Sequence, residues 1–260
     1  MIIKLVNFLK RNFIILIINI KQKIGIKYST RRLRSGVLLK VRNIDILCRG
    51  ILRESFEAKT QQAIMSNIKE GMTVLDIGAN IGYYTVQMAD KVGSKGKVLA
   101  FEPNPVVLEQ LQLNINLNNF DNVIVEKLAL SSKNGFDEFC TPEEGKESHG
   151  SLKENITFEL KKKFSVKTEK LDDVLDRLGI SKVDFIKIDV EGAEKLIFDG
   201  ATKLLSSKHK PIIIFEAAEH LCRPFGNRVF DVLNLLYSFG YYVEQFEYGM
   251  WMALPRVERG

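Results

Sequence analysis

The sequence predicts an α/β protein: a doubly wound, mostly parallel sheet with an antiparallel C-terminal hairpin, preceded by a basic helical appendage. Three observations carry this expectation. Short apolar runs at Thr73–Ile77, Gly96–Phe101, Val123–Leu128, Val183–Asp189 and Pro211–Phe215 alternate with helical stretches, as in a parallel sheet covered on both faces. The first run leads into the glycine loop Gly78-Ala79-Asn80-Ile81-Gly82 and then a helix, the opening unit of a doubly wound sheet. The chain closes with Tyr241–Phe246 and Met250–Leu254 around Glu247-Tyr248-Gly249, which reads as a hairpin.

The 260 residues fit one such domain plus an appendage. Hydrophobic residues at 45% and charged residues at 27% exclude a disordered or low-complexity chain. Cys48, Cys140 and Cys222 are far apart and form no CxxC pair. A disulfide scaffold or cysteine-rich zinc site is therefore not expected, and a reducing, cytoplasmic compartment is.

Charge divides the chain at about residue 53. Residues 1–53 hold 13 bases and one acid, Asp45, whereas the remainder carries a net charge of −6. We therefore expect a basic appendage over 1–53 and the main domain over 54–260. Residues 1–20 read as an amphipathic helix. The uninterrupted apolar run Phe13–Ile18 is far shorter than the roughly 20 residues a spanning helix needs. Two placements are open for residues 1–34: packing on the acidic domain, or peripheral contact with the inner face of a membrane. Partial alternation over Val37–Cys48 suggests a short hairpin, and Glu54–Lys69 a helix stopped by Gly71.

The glycine loop is the informative segment. Glycines let the backbone turn sharply and approach a ligand, and the N-terminus of the following helix, predicted over Tyr83–Lys91, offers free N–H groups. The second strand ends in Glu102, about 20 residues beyond the loop, where a carboxylate can accept from two ribose hydroxyls. Pro103 and Pro105 open the next helix. The spacing is G-x-N-x-G, with Asp76 just ahead, rather than the G-x-G-x-x-G of a nicotinamide site. Ala129, after the third strand, is small enough to leave room beside an adenine ring.

The fourth strand ends in Asp189-Val190-Glu191-Gly192-Ala193-Glu194. Acids at the carboxyl end of such a strand sit in the ligand crevice. Glu191 and Glu194 also suit the start of the next helix, predicted over Ala193–Leu205.

Taken together, Asp76 through Thr85, Phe101-Glu102-Pro103-Asn104-Pro105 and Lys187 through Glu194 resemble the FkbM family of methyltransferases. The likeness runs from about Phe56 to about Glu216. It implies a class I, Rossmann-like methyltransferase sheet of seven strands and S-adenosylmethionine as methyl donor. It also implies O-methylation of a hydroxyl on a sugar, glycolipid, polysaccharide or related secondary metabolite. On this resemblance Asp76, Gly78, Ala79, Asn80, Gly82, Tyr84, Thr85, Glu102, Pro103, Asn104 and Ala129 belong to the cofactor site. Asp189 stands between cofactor and acceptor.

A hydroxyl is a poor nucleophile, so a base should take its proton. Asp189 is the first candidate, followed by Glu216 and His220 at the end of the fifth strand. Alternatively, Asp189 and Glu216 hold a divalent cation such as magnesium; the sequence leaves base and metal ligand open. His209 lies in a polar turn.

A long insertion separates the third and fourth core strands. Phe136–Thr141 and Phe164–Thr168 read as strands, Lys170–Leu178 as a short helix, and the polar stretch Pro142–Leu152 as an acceptor lid bearing Ser148, His149 and Ser151.

A small-molecule or glycan acceptor is expected, and no nucleic acid. The basic arm carries only Phe8, Phe13 and Tyr28 as aromatics, too few for a base-stacking platform. Competing readings are a cofactor-binding module without turnover, a nicotinamide oxidoreductase, and a methyltransferase acting on a non-carbohydrate acceptor. The first is opposed by Asp189 and Glu191, the second by Asn80 and the terminal hairpin.

Overall fold

The structure is a computed structural model and describes residues 13, 16–43, 50–51, 57–142, 150–153 and 160–256. A first helix, α1 (residues 16–23), leads into a hairpin of β1 (Tyr28–Arg32) and β2 (Leu38–Arg42). Helix α2 (Ala58–Asn67) precedes the main sheet. Then follow β3 (Thr73–Ile77), α3 (Tyr83–Val92), β4 (Lys97–Phe101), α4 (Pro105–Leu117) and β5 (Val123–Glu126). An inserted sheet uses β6 (Ala129–Leu130), β7 (Gly135–Pro142) and β8 (Leu160–Glu169). The chain returns through α5 (Leu171–Arg177), β9 (Phe185–Ile188), α6 (Glu194–Asp199), α7 (Thr202–Leu205) and β10 (Ile212–Glu216). It ends with α8 (Glu219–Cys222), α9 (Val229–Ser238), β11 (Tyr241–Glu247) and β12 (Met250–Pro255).

The main sheet has seven strands in the order β11-β12-β10-β9-β3-β4-β5. Pairing is parallel from β10 to β5, and β12 runs antiparallel between β10 and β11. Strand order reverses at β3, which lies between β4 and β9. That is the switch point where a crevice opens beyond the carboxyl ends of the strands.

Period-two alternation divides the core between the two faces. Leu75, Ile77, Ile186 and Ile188 pack with residues of α5, α6, α7 and α9. Val74, Phe185 and Ile214 pack on the other face with α2, α3, β2 and Ile18 of α1. Asp76 and Lys187 alternate onto that second face, and the β3–β9 register sets them side by side.

Several elements differ from the sequence expectation. The predicted hairpin lies earlier: Leu38–Arg42 pairs with Tyr28–Arg32, and residues 44–49, with Cys48, lie outside the described residues. The turn between the strands is set by Leu33 and Gly36, whose φ of +97° favours glycine. The single helix expected over Ala193–Leu205 is two short ones. Between them Gly200 passes so near the chain that a Cβ would lie 2.2 Å from the Ser131 carbonyl oxygen. The two predicted insertion strands pair with each other, and β8 also pairs with β6. Of the proposed lid, Ser148 and His149 lie outside the described residues. Ser151 is buried, bridges to Cys140, and donates from Oγ to the Glu191 carbonyl at 3.1 Å.

Candidate active site

At the switch point the glycine loop is locked by what surrounds it. Gly78 has φ +79°, and a Cβ there would stand 1.9 Å from the Asp189 carbonyl oxygen. Only glycine allows β3 and β9 to approach that closely. Asn80 adopts φ +52° and donates from its backbone amide to Glu102 Oε2 at 2.8 Å. The amide of Asn104 donates to Glu102 Oε1 at 2.7 Å. The Asn104 side chain then caps α4, accepting from the Val106 amide at 3.0 Å, with Pro105 at the first helical position. Glu102 is thereby fixed between two loops, and burial pushes its carboxyl up to about 7.

Above the strand tips lies a cavity of about 310 Å³, at the lower end of the range for small-molecule sites. Its first wall is Gly78, Ala79, Asn80, Glu102, Pro103 and Asn104; Leu128, Ala129 and Leu130 form an apolar side. Phe139, Gly150 and Leu152 bring the inserted sheet over it. The far end is acidic: Asp189, Glu191, Glu216 and Glu57, together with Tyr84 and Lys187.

Lys187 organises that end. Its ammonium is buried, 3.4 Å from Asp189 Oδ2 and 3.5 Å from Asp76 Oδ1, and it donates to the Gly78 carbonyl at 3.1 Å. It also lies 5.3 Å from the centre of the Tyr84 ring. Burial alone would lower its pKa, but the carboxylates of Asp189, Asp76 and Glu57 outweigh that and hold it above the ordinary lysine value. Asp76 Oδ2 accepts a hydrogen bond from Thr85 Oγ1 at 2.6 Å.

The surrounding acids are raised as well, by burial first. Burial, with Asp189 next to it, raises Glu216 to about 10, and the two share a side-chain hydrogen bond. Burial raises Glu191 to about 8. Glu57 is also raised, by burial first and Asp189 second, and accepts from the Tyr84 hydroxyl at 2.6 Å. The site therefore presents Asp189 held by an ammonium, beside Glu216 and Glu191, whose carboxyls are raised above 7.

Comparison with known proteins fits this arrangement. The Methyltransferase FkbM domain matches residues 76–243. The chain belongs to the FkbM methyltransferase family. Three relatives illustrate the range. The FkbM chain is 25% identical over 191 residues to the 2-O-methyltransferase NoeI of Sinorhizobium fredii, covering 68% of this chain and 77% of NoeI. It is 28% identical to the hexuronic acid methyltransferase AglP of Haloferax volcanii, covering 59% and 60%. It is 30% identical to methyltransferase sdnD of Sordaria araneosa, covering 52% of this chain and 62% of sdnD.

S-adenosylmethionine is the donor in this FkbM methyltransferase, and the residues suit it. Glu102 keeps acceptor capacity toward a ribose, and the Leu128–Leu130 side is apolar. Of the residues expected in the cofactor site, Gly78, Ala79, Asn80, Tyr84, Glu102, Pro103, Asn104 and Ala129 line the cavity, as does Asp189. Asp76, Gly82 and Thr85 lie just behind it. Gly82 is the left-handed residue before α3, while Asp76 and Thr85 bond to each other. Glu216 lines the cavity, whereas His220 is an exposed residue of α8 outside the lining. Glu194 turns inward to accept from the Gly192 amide at 3.2 Å. Among the described residues, no group of three or more His, Cys, Asp or Glu side chains is arranged to hold a metal ion.

Lys187 and Glu57 were not singled out from the sequence. A lysine inside an otherwise apolar strand, Phe185-Ile186-Lys187-Ile188, is the signal that marks the first. Nothing in the pattern around Glu57 marks the second.

Proposed function

We infer that the protein transfers a methyl group from S-adenosylmethionine to a hydroxyl of a sugar, glycan or related secondary metabolite. The observation that carries this reading is the pairing of a ribose-type carboxylate, Glu102, with an ammonium-held Asp189 across one cavity. NoeI and AglP, whose names specify a 2-O-methyltransferase and a hexuronic acid methyltransferase, support the acceptor class.

The cofactor's sulfonium makes its methyl group electrophilic, so the chain's own task is alignment, exclusion of water and management of one proton. Asp189 accepts the hydroxyl proton and orients the oxygen. Lys187 keeps its carboxylate in place through the contact at 3.4 Å. Glu216, neutral and hydrogen-bonded to Asp189, fixes the second side of that carboxylate. Phe139, Gly150 and Leu152 line the cavity on the side of the inserted sheet and would limit the water that reaches the acceptor.

The test is incubation with methyl-labelled S-adenosylmethionine and a panel of glycosides, with and without a carboxylate. The expected product is an alkali-stable methyl ether on a ring hydroxyl. Label recovered only as an alkali-labile ester would replace hydroxyl transfer with carboxylate transfer.

A further inference from the structure

The first helix is held by one side only. Ile18 is 3% exposed and packs with Leu39 and Val41. Lys21 Nζ donates to Ser29 Oγ at 3.0 Å, and Gln22 Nε2 donates to the Asn43 carbonyl at 2.8 Å. Phe13 lies ahead of α1, Leu16 and Ile20 fall on its opposite side at about 100° per residue, and Ile24 sits in the turn after it. They are 62%, 55%, 48% and 67% exposed, respectively. A helix packing on a globular core turns its apolar row inward; here Leu16 and Ile20, with Phe13 and Ile24 to either side of the helix, are turned to solvent.

The charges around the row are of one sign. Lys23, at the end of α1, and Lys27, just before β1, are exposed, and residues 1–53 contain 13 bases against Asp45 alone. An exposed apolar row flanked by lysines matches a surface with an apolar interior and anionic headgroups.

We propose that α1 is a docking surface for an anionic lipid bilayer. The helix lies in the headgroup plane, with Phe13, Leu16, Ile20 and Ile24 at the acyl boundary and Lys23 and Lys27 on the phosphates. The proposal stands apart from the acceptor reading and is tested without turnover.

The experiment is flotation of the full chain with vesicles of equal parts phosphatidylglycerol and phosphatidylcholine, and with phosphatidylcholine alone, at low and high salt. Binding to the anionic vesicles is expected, about tenfold or more tighter than to the neutral ones and weakened by salt. Leu16→Glu/Ile20→Glu is expected to weaken it by about tenfold or more, with circular dichroism and thermal unfolding unchanged because both side chains are exposed. Lys23→Glu/Lys27→Glu should weaken it without touching the row. Three results would each overturn the proposal. The full chain stays unbound on anionic vesicles at low salt. The Leu16→Glu/Ile20→Glu variant floats as wild type does. Light scattering shows a dimer that this variant dissociates, assigning the row to a second copy.

Discussion

Glu102 accepts two backbone amides, and its burial holds the carboxyl at about 7. A ribose hydroxyl donates best to the ionised form, and ionisation is lost as pH falls through that value. Cofactor affinity is therefore expected to drop between about pH 8 and about pH 6, by at most about tenfold per unit. Glu102→Gln should remove the pH step and weaken binding at the alkaline end by about tenfold or more; calorimetric titration across pH reads both effects. Glu216, raised to about 10 by burial and Asp189, is expected to keep its proton at pH 7 and to position Asp189 rather than act as the base. Accordingly Glu216→Gln, which keeps a neutral hydrogen-bonding group, should retain turnover within a few fold, whereas Glu216→Ala should lose more. Equal loss in both would make its carboxyl the working base. Lys187 faces two carboxylates from a buried position. Replacing it by Met strands Asp76 and should cost on the order of 3–5 kcal/mol in urea unfolding. Adding Asp76→Asn should restore part of that loss.

At the scale of elements, the site depends on how closely strands and loops approach. Gly78→Ala sets a Cβ 1.9 Å from the Asp189 carbonyl oxygen, at a φ that L-residues rarely adopt. It should lower both the melting temperature and cofactor affinity, measured by thermal unfolding with and without cofactor. The hairpin is tied to α4 by Asn114. Its Oδ1 accepts the Lys40 amide at 2.7 Å, and its Nδ2 donates to the Lys40 carbonyl at 3.0 Å and the Ile81 carbonyl at 2.7 Å. Asn114→Ala should cost about 1–3 kcal/mol by leaving those groups unpaired. The strands β3, β4, β9 and β10 were legible because each is a short apolar run bounded by turn residues. The loop was legible because glycine and asparagine at fixed spacing have few other uses. The break at Gly200 was not, since its cause is a distant carbonyl, that of Ser131. Nor was the Asp76–Lys187 pair, because register between β3 and β9 is a tertiary fact.

Across the whole molecule, the FkbM domain match at residues 76–243 runs from the end of β3 to the start of β11. The basic appendage joins the same core through Ile18, Val37, Leu39 and Val41. The expected roles of Glu102 and Asp189 came from their positions at strand ends, which a doubly wound topology converges on one crevice. His220 follows the same logic by sequence, yet α8 carries it to the surface. Glu57 reaches the cavity from the segment before β3, a placement no local pattern encodes. The central claim is that one cavity seats S-adenosylmethionine with Asp189 facing the acceptor hydroxyl. The most direct measurement is methyl transfer by Asp189→Asn alongside its cofactor dissociation constant. The expected result is a loss of turnover of about 100-fold or more, with cofactor affinity within a few fold of wild type. Wild-type turnover by Asp189→Asn would contradict the account.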